Sequence, residues 1–444
     1  MDIAEEEQKS NKLDVLAKDA VIALTIQGCG LVLTYVGQVF LARWMGKTEY
    51  GTYEYVISWS ILLGIPAALG LPRTVLRLLS EYRIKEDWGH LRGLMRGSWL
   101  LTLLVGVLLG LGAAGVVWVL NSFHSFTYAT PLLIGMALVP LQALTVLQLE
   151  TARAMGDITL AYAPSKVIWP IWLLCGGFLL FDANPSLGSL PMIEVATLLL
   201  SAVLLLQLWL LREKIDREIE PATPVYSYQE WLGIAWVLLL QQSFGVILNR
   251  TDILMVGSII GPSEAGIYNA AVKTALWVSF ILQVVNMVAA PVFATLYAKK
   301  DMEGLQKVVS RVTLWIFWPS IVVALGLIAF SKPVLSIFGP DFTAASWSLK
   351  ILIVGQLVNA LCGSVVNLII MTGHQNKSVI VAGCSVLLNI VTNAIAIPVF
   401  GITGAAITTS FTIVVSNVWY SILVVKYVGV RPSVFYSLFN RGIV

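Results

Sequence analysis

Residues 46–53 read GKTEYGTY, and residues 261–268 read GPSEAGIY. Gly, Glu, Gly and Tyr recur at the same relative places, 215 positions apart, and each string separates two long apolar stretches. The match does not stop at the turn. Under the same shift Tyr82 meets Tyr297, Lys85 meets Lys300, Gly89 meets Gly304, Arg92 meets Lys307 and Arg96 meets Arg311. The expected register therefore runs without a gap from Gly46 to Arg96. Glycine permits the bend and tyrosine anchors it at a polar–apolar interface, which accounts for the turn. The matches around the turn call for a duplicated folding unit.

The solvent of that unit follows from composition. Of 444 residues, 58% are hydrophobic and 12% charged, and the mean hydropathy is +0.84. A water-soluble chain of this size carries roughly a quarter charged residues. Too few are present to cover a water-facing surface, so much of the apolar surface must face lipid. The net charge of +3 is too small to point to nucleic acid. The first nineteen residues are polar, and the apolar run after them is long enough to stay in the membrane, so it reads as a signal anchor and first span.

About 20 apolar residues cross the hydrocarbon as a helix. By that measure twelve spans are expected near 19–44, 50–80, 95–120, 128–154, 159–181, 188–211, 231–257, 265–297, 311–330, 345–371, 377–399 and 402–426. The runs are continuous and lack an alternation of period two, which favours helices over a barrel. With both termini cytoplasmic, the inward segments hold 22 of the 28 basic residues. The outward loops hold Arg43, Lys47 and Lys332, and Arg250, Lys273 and Lys350 fall inside spans. That asymmetry supports the count and the orientation in a cytoplasmic membrane.

Six spans separate the two copies, an even number, so both enter the membrane in the same sense. This is a parallel repeat about an axis along the membrane normal. The expected organisation is a cytoplasmic tail at 1–18, an N-lobe at 19–211, a charged, Pro-containing linker at 212–230, a C-lobe at 231–426 and a cytoplasmic tail at 427–444. The fold class is all-α integral membrane, with a cleft expected between two six-helix lobes.

The strings ARWMGKTEYGTYEYVISW, LGLPRTVLRLLSEY and NRTDILMVGSIIGPSEAGIYNAAVK resemble the polysaccharide-export flippases of lipid-linked oligosaccharides, O-antigen and teichoic-acid types among them. Their superfamily also holds the lipid II flippases and the multidrug and toxin extrusion antiporters. The resemblance covers nearly the whole chain in span number, repeat and topology. It implies a V-shaped, two-lobe transporter that carries a polyprenyl-(pyro)phosphate-linked oligosaccharide across the cytoplasmic membrane. It further implies a cationic central cavity, work as a monomer, and polysaccharide polymerase and other assembly proteins as partners.

A charge in hydrocarbon costs roughly 3 kcal/mol or more, so intramembrane charges are the first candidates for function. Arg73, Arg77 and Glu81 are spaced four apart, on one helix face, after a span broken by Pro66 and Pro72. They read either as side chains snorkelling to the inner interface or as an anion site, since guanidinium matches phosphate. Lys273 lies about 13 Å from the outer start of span 8, where snorkelling is harder. The resemblance implies that it faces the cavity. Arg250 and Asp252 are two apart and do not face each other, so each is expected to pair with another span. Glu150 and Arg153 read as an interface pair, and Glu54 is a further intramembrane carboxylate. Gln356, Asn359, Gly363 and Asn367 fall on one face of a continuous span 10, as glue between helices or as a polar wall for sugar hydroxyls.

No metal site or cofactor is expected. Cys29, Cys175, Cys362 and Cys384 lie in apolar runs without metal-ligand spacing and read as small packing residues; His90, His124 and His374 lie apart in polar turns. No GxxxxGK[ST] string occurs, so the energy source is not ATP bound by this chain. A drug antiporter of the same fold is the alternative. It would want a buried carboxylate, which span 1 lacks beyond Asp19 but Asp252 and Glu54 supply. A glycan-processing enzyme would need an acid, base or metal cluster in a sizeable loop. The longest outward loop, near 331–344, has only Lys332 and Asp341 as charges.

Overall fold

The computed structural model describes residues 2–123 and 125–439, with side chains described from Val21 onward except at 237, 241 and 437–439. His124 and the tail residues 440–444 lie outside the described residues. In chain order the helices are α1 (Asp2–Ala67), α2 (Leu71–Ile84), α3 (Trp88–Phe123), α4 (Ala129–Gly135), α5 (Leu138–Ala154), α6 (Ile158–Ala163), α7 (Trp169–Ala183) and α8 (Ser189–Glu218). They continue with α9 (Tyr228–Ile259), α10 (Pro262–Ala298), α11 (Met302–Ala329), α12 (Ser331–Ser336), α13 (Ser346–Cys362), α14 (Val365–Met371), α15 (Gln375–Leu423) and α16 (Val434–Phe439).

Among the described residues eight helices are long and apolar enough to cross a membrane, and ten if α4–α5 and the two parts of α9 each count as one bent span. Two of the eight are fused pairs. Gly46 interrupts α1 at φ 71° and ψ 173°, and Gly401 interrupts α15 at φ 60° and ψ −141°. Dividing each there brings ten to twelve, at the places the hydropathy assigned. Only glycine adopts such angles without strain, so the residue type itself sets the division. The N-terminal tail is helical from Asp2 onward. Apolar side chains crowd the outside of the spans: Leu108, Leu111 and Trp118 on α3 are each 60% exposed or more. In water that face would cost stability; in lipid it costs nothing.

The turns at the ends rich in basic residues share one construction. Asp87 N–H bonds Tyr82 O, Asp157 N–H bonds Ala152 O, Asp301 N–H bonds Leu296 O, and His374 N–H bonds Ile369 O. In each, the preceding residue is left-handed: Glu86, Gly156, Lys300 and Gly373. This closes the outgoing helix by satisfying its last carbonyls. Three of the four then open the next helix with an aspartate cap. Asp87 accepts from His90 N–H at 3.1 Å, Asp157 from Leu160 N–H at 2.8 Å and Asp301 from Gly304 N–H at 2.8 Å. Glu86 and Lys300 are 214 positions apart, so the backbone is one residue out of the gapless register expected from Gly46 to Arg96. The first copy is broken at 68–70, between α1 and α2, whereas α10 runs through.

The chain divides into two compact units, 1–45 with 56–243, and 46–55 with 244–444. Residues 46–55 belong with the second unit, and 231–243 with the first. In the second unit the two copies of the repeated turn meet. A Cβ on Gly51 would lie 1.7 Å from Pro262 O, and one on Gly266 would lie 2.9 Å from Gly51 Cα. Asn269 Nδ2 donates to Tyr50 Oη at 2.8 Å, Tyr50 packs edge-on against Phe342, and Tyr55 Oη bonds Ser258 Oγ at 2.8 Å. The repeated glycines thus allow contact of backbone on backbone, which any side chain would prevent. In the first unit Trp231 is fully buried, with its indole donating to Tyr82 Oη at 3.4 Å, and a Cβ on Gly70 would meet Ala235 O at 2.1 Å.

The segment after the sixth span of each copy folds back over the third. After α8, Val225 N–H bonds Gly89 O at 2.9 Å and its carbonyl sits where a Cβ on Gly93 would be. After α15, Thr313 Oγ1 donates to Pro432 O at 3.1 Å and Gln306 Oε1 accepts from Arg431 N–H at 2.7 Å.

Two expectations need correcting. Span 10 is not continuous: α13 stops at Cys362, Gly363 takes φ 70°, and α14 starts at Val365. A Cβ on Gly363 would fall 2.6 Å from Thr313 Oγ1, so the chain must turn there to pass α11. The cysteines are not core fillers either, since Cys29, Cys175 and Cys384 are exposed and Cys362 is half-buried. His90 and His374 do sit at turns, His90 on Asp87 and His374 against the rings of Tyr297 and Tyr427.

Candidate functional site

Leu69 and Gly70 are both left-handed, which ends α1 and lets α2 start with Pro72 in its first turn, where no N–H is needed. From there the spacing of four puts Arg73, Arg77 and Glu81 along one face. Arg73 is 47% exposed, with Nη1 3.8 Å from Glu150 Oε1 on α5. Glu150 is buried, and its other oxygen is 2.7 Å from Arg153 Nη1. One buried carboxylate therefore holds two guanidiniums, which orients Arg73. Arg77 is exposed and has no hydrogen bond or ion pair among the described residues. Glu81 turns to Lys85 instead, at 2.7 Å; that hydrogen bond draws the Glu81 carboxyl below its ordinary range and raises the Lys85 ammonium above its own.

Lys166 is a cation that the sequence reading placed with the loop charges. It sits in a π-helical turn, 164–168, between α6 and α7, inside an expected span. Its side chain is exposed, and the backbone of Gly30 packs against it so closely that a Cβ there would come within 2.8 Å of Lys166 Cβ. π-turns of this kind occur often at functional sites. The signal was present in the sequence: a lysine seven residues past the expected start of a span, with Pro164 two residues before it. Glu194, exposed on α8, is a second intramembrane charge that was passed over.

In the second unit the buried carboxylate is held differently. Asp252 on α9 is buried; Tyr268 Oη of α10 donates to it at 2.9 Å and Thr409 Oγ1 of α15 at 3.4 Å. Its other oxygen accepts from Ile253 N–H at 2.8 Å. Hydroxyls and a backbone amide, rather than a cation, are its partners. Arg250 makes no hydrogen bond or ion pair among the described residues. On α15, Asn393 Nδ2 donates to Asn389 Oδ1 at 3.0 Å, Thr408 donates to Asn393, and Asn389 Nδ2 donates to Thr412 Oγ1 at 3.4 Å. Glu54 is 1% exposed, beside Tyr53, without a hydrogen bond or ion pair among the described residues. Lys273 is half-buried on α10, one turn beyond the fully buried Asn269. Gln356 and Asn359, both half-buried, lie on α13, whereas Asn367 belongs to α14 beyond the break. The four-residue stripe is therefore two short polar faces.

A guanidinium held by a buried carboxylate, and a buried carboxylate held by hydroxyls, are the kind of polar groups that mark candidate functional positions in a membrane protein. The sequence profile described as "Polysaccharide biosynthesis protein" matches residues 16–297, more than half of the chain. The chain belongs to the polysaccharide biosynthesis protein family. A second profile, MatE, matches residues 234–395. A curated relative from Haloferax volcanii, described as "Probable low-salt glycan biosynthesis flippase Agl15", is 23% identical over 434 residues, covering 94% of this chain and 85% of that one. A membrane protein of Methanocaldococcus jannaschii is 22% identical over 402 residues, covering 85% of this chain and 78% of its own.

Among solved structures, an inward-facing MATE multidrug resistance transporter of the MOP superfamily has TM-score 0.69 at 13% identity, covering 92% of this chain and 98% of its own. The lipid II flippase MurJ in an inward closed conformation has TM-score 0.68 at 14% identity, covering 95% of this chain and 96% of its own. At that identity the likeness is one of fold. The protein is thus a multi-span membrane protein that shares the fold of those transporters.

Proposed function

We propose that the protein moves a polyprenyl-(pyro)phosphate-linked oligosaccharide from the inner to the outer leaflet of the cytoplasmic membrane by alternating access, with both termini cytoplasmic. The observation that carries the reading is the α2 face. Arg73 and Arg77 are exposed guanidiniums inside a membrane protein, one of them steadied by buried Glu150. A planar, permanently charged fork is matched to phosphate, and an inner-leaflet pyrophosphate is the anion that such depth would select. Lys273 and Lys166 supply further positive charge along the route, and Gln356, Asn359 and Asn367 offer hydrogen bonds to sugar hydroxyls. The family and the Haloferax relative support the substrate class. The protein works as a monomer beside polysaccharide polymerase and other assembly proteins.

Reconstitution in liposomes with a defined lipid-linked oligosaccharide tests this. Lys273→Ala is expected to abolish translocation at an unchanged level in the membrane. Arg73→Glu is expected to damage it more than Arg73→Lys. Equal effects of the two Arg73 variants would reduce that side chain to an anchor, and normal transport by Lys273→Ala would remove it from the route.

A second reading is a cation-coupled multidrug antiporter. The MatE match over 234–395 and the buried Asp252 favour it. On that reading, expression lowers drug accumulation in cells, and Asp252→Asn abolishes the effect while the liposome assay with oligosaccharide lipid stays blank.

A further inference from the structure

A cavity of about 570 Å³ opens in the first unit among α3, α5 and α8, at the end that carries the basic turns. Gln148 lines it and is 2% exposed, and neither its amide nitrogen nor its amide oxygen has a hydrogen-bond partner. The indole Nε1 of Trp99, also in the lining, is buried and unpartnered as well. A buried polar atom left unpaired forfeits its hydration without a replacement bond, and native folds keep such atoms few. Three around one cavity, two donors and an acceptor, mark a place built for something else to complete.

The charge at the mouth narrows what that is. Arg92 is committed: it donates to Glu220 O at 3.2 Å, to Ile219 O at 3.1 Å and to Asp216 Oδ1 at 3.4 Å. The last of these bonds pairs Arg92 with Asp216, the carboxylate in the lining. Arg96 and Arg212 are exposed there and make no hydrogen bond or ion pair among the described residues. Deeper in, the wall is apolar, with Leu100, Leu147, Leu208 and Leu211. Arg96 and Trp99 are three residues apart on α3, so they share a face, with Trp99 about 4.5 Å further into the span. From mouth to floor the site runs from bare positive charge, through an indole and amide, to hydrocarbon.

We propose that this cavity binds the headgroup of an anionic, hydroxyl-bearing phospholipid of the surrounding leaflet. Arg96 and Arg212 take the phosphate diester, Trp99 Nε1 and Gln148 Nε2 donate to headgroup oxygens, and Gln148 Oε1 accepts from a headgroup hydroxyl. The chains lie along the leucine wall. A soluble phosphate would satisfy the arginines but would leave that wall wet. The site belongs to the first unit alone and is a resident-lipid site, not a station on the proposed transport route, so binding is measured without transport.

The full-length protein, purified in a neutral detergent at fixed ionic strength, is titrated with short-chain phosphatidylglycerol, phosphatidylcholine of equal chain length, or sn-glycerol 3-phosphate, and its thermal midpoint is followed. Phosphatidylglycerol is expected to raise the midpoint saturably, and the other two are not. The double variant Arg96→Gln/Arg212→Gln, made at exposed positions, is expected to keep the unliganded midpoint and to need at least about tenfold more phosphatidylglycerol. Gln148→Met is expected to raise the unliganded midpoint, by removing unpaired amide atoms, while weakening the lipid response. An unchanged response in the double variant overturns the site. An equal response to phosphatidylcholine overturns the anionic class, and a full response to glycerol phosphate overturns the lipid.

Discussion

The first unit secures carboxylates such as Glu150 with ion pairs; the second secures buried Asp252 with hydroxyls and a backbone amide. In the first, Glu150 sits between Arg73 and Arg153, and Lys214 bridges Asp157 and Glu218 at 3.0 and 3.5 Å. In the second, Asp252 is held by Tyr268 and Thr409, and Asn389 and Asn393 by each other and by threonines. Yet both units close their basic-end turns through left-handed residues and the same long backbone bond, and both fold the segment after their sixth span over their third. Backbone construction has stayed common to the two copies while the polar interior has diverged. Turns are fixed by local geometry that few residues satisfy, whereas an interior needs only that each buried polar group find a partner.

The largest test strikes what the copies share. Gly51→Val puts side-chain atoms where Pro262 O already lies, and is expected to leave no monodisperse protein in fluorescence-detected size exclusion. Gly112→Ala, where nothing lies within 4 Å, is expected to be neutral or stabilising by about 0.5–1 kcal/mol. A folded Gly51→Val protein would mean that the meeting of the two turns is dispensable.

The next test separates the interiors. Glu150→Ala leaves Arg73 and Arg153 without their shared carboxylate, and an expected loss of about 3 kcal/mol follows. Asp252→Asn keeps an acceptor for Tyr268 and should cost only about 1 kcal/mol. Thermal unfolding in one detergent compares them, and a reversed order would erase the contrast between the units.

The third test uses pH. Burial opposes charge on Asp157, but the Leu160 N–H and the Lys214 ammonium outweigh it and hold its carboxyl below the usual range. A carboxyl lowered by folding stabilises above its unfolded pKa of about 3.9, and that stability fades as pH falls through the folded value. The midpoint should therefore drop below about pH 4 in the wild type, and less steeply in Asp157→Asn, which should be less stable at pH 7.

The smallest effects lie in the turns. Gly156→Ala forces a side chain to φ 76° and should cost about 1 kcal/mol. Lys300→Gly, which relieves a side chain at φ 57°, should be neutral or gain a few tenths. A clear loss in Gly156→Ala with no loss in Lys300→Gly, read by chemical unfolding, would confirm that one turn geometry serves both units.

Twelve spans and the duplicated turn were legible because hydropathy and glycine placement are local properties, written in contiguous residues. The face shared by Arg73 and Arg77 was legible for the same reason, since helical spacing fixes it. What span 10 does at Gly363 was not, because the turn is forced by Thr313 on another helix. Lys166 escaped because a count of charges per loop cannot see a π-turn inside a span.

The sequence alone determined the solvent, the span count and the repeat, each set by the free energy of placing apolar or charged groups in lipid. Tertiary structure alone decided that Gly51 meets Gly266, that Asp252 is held by hydroxyls, and that Gln148 and Trp99 share one cavity. Contacts between residues far apart in the chain leave no periodicity to read; they follow from which helix faces come to share the same space.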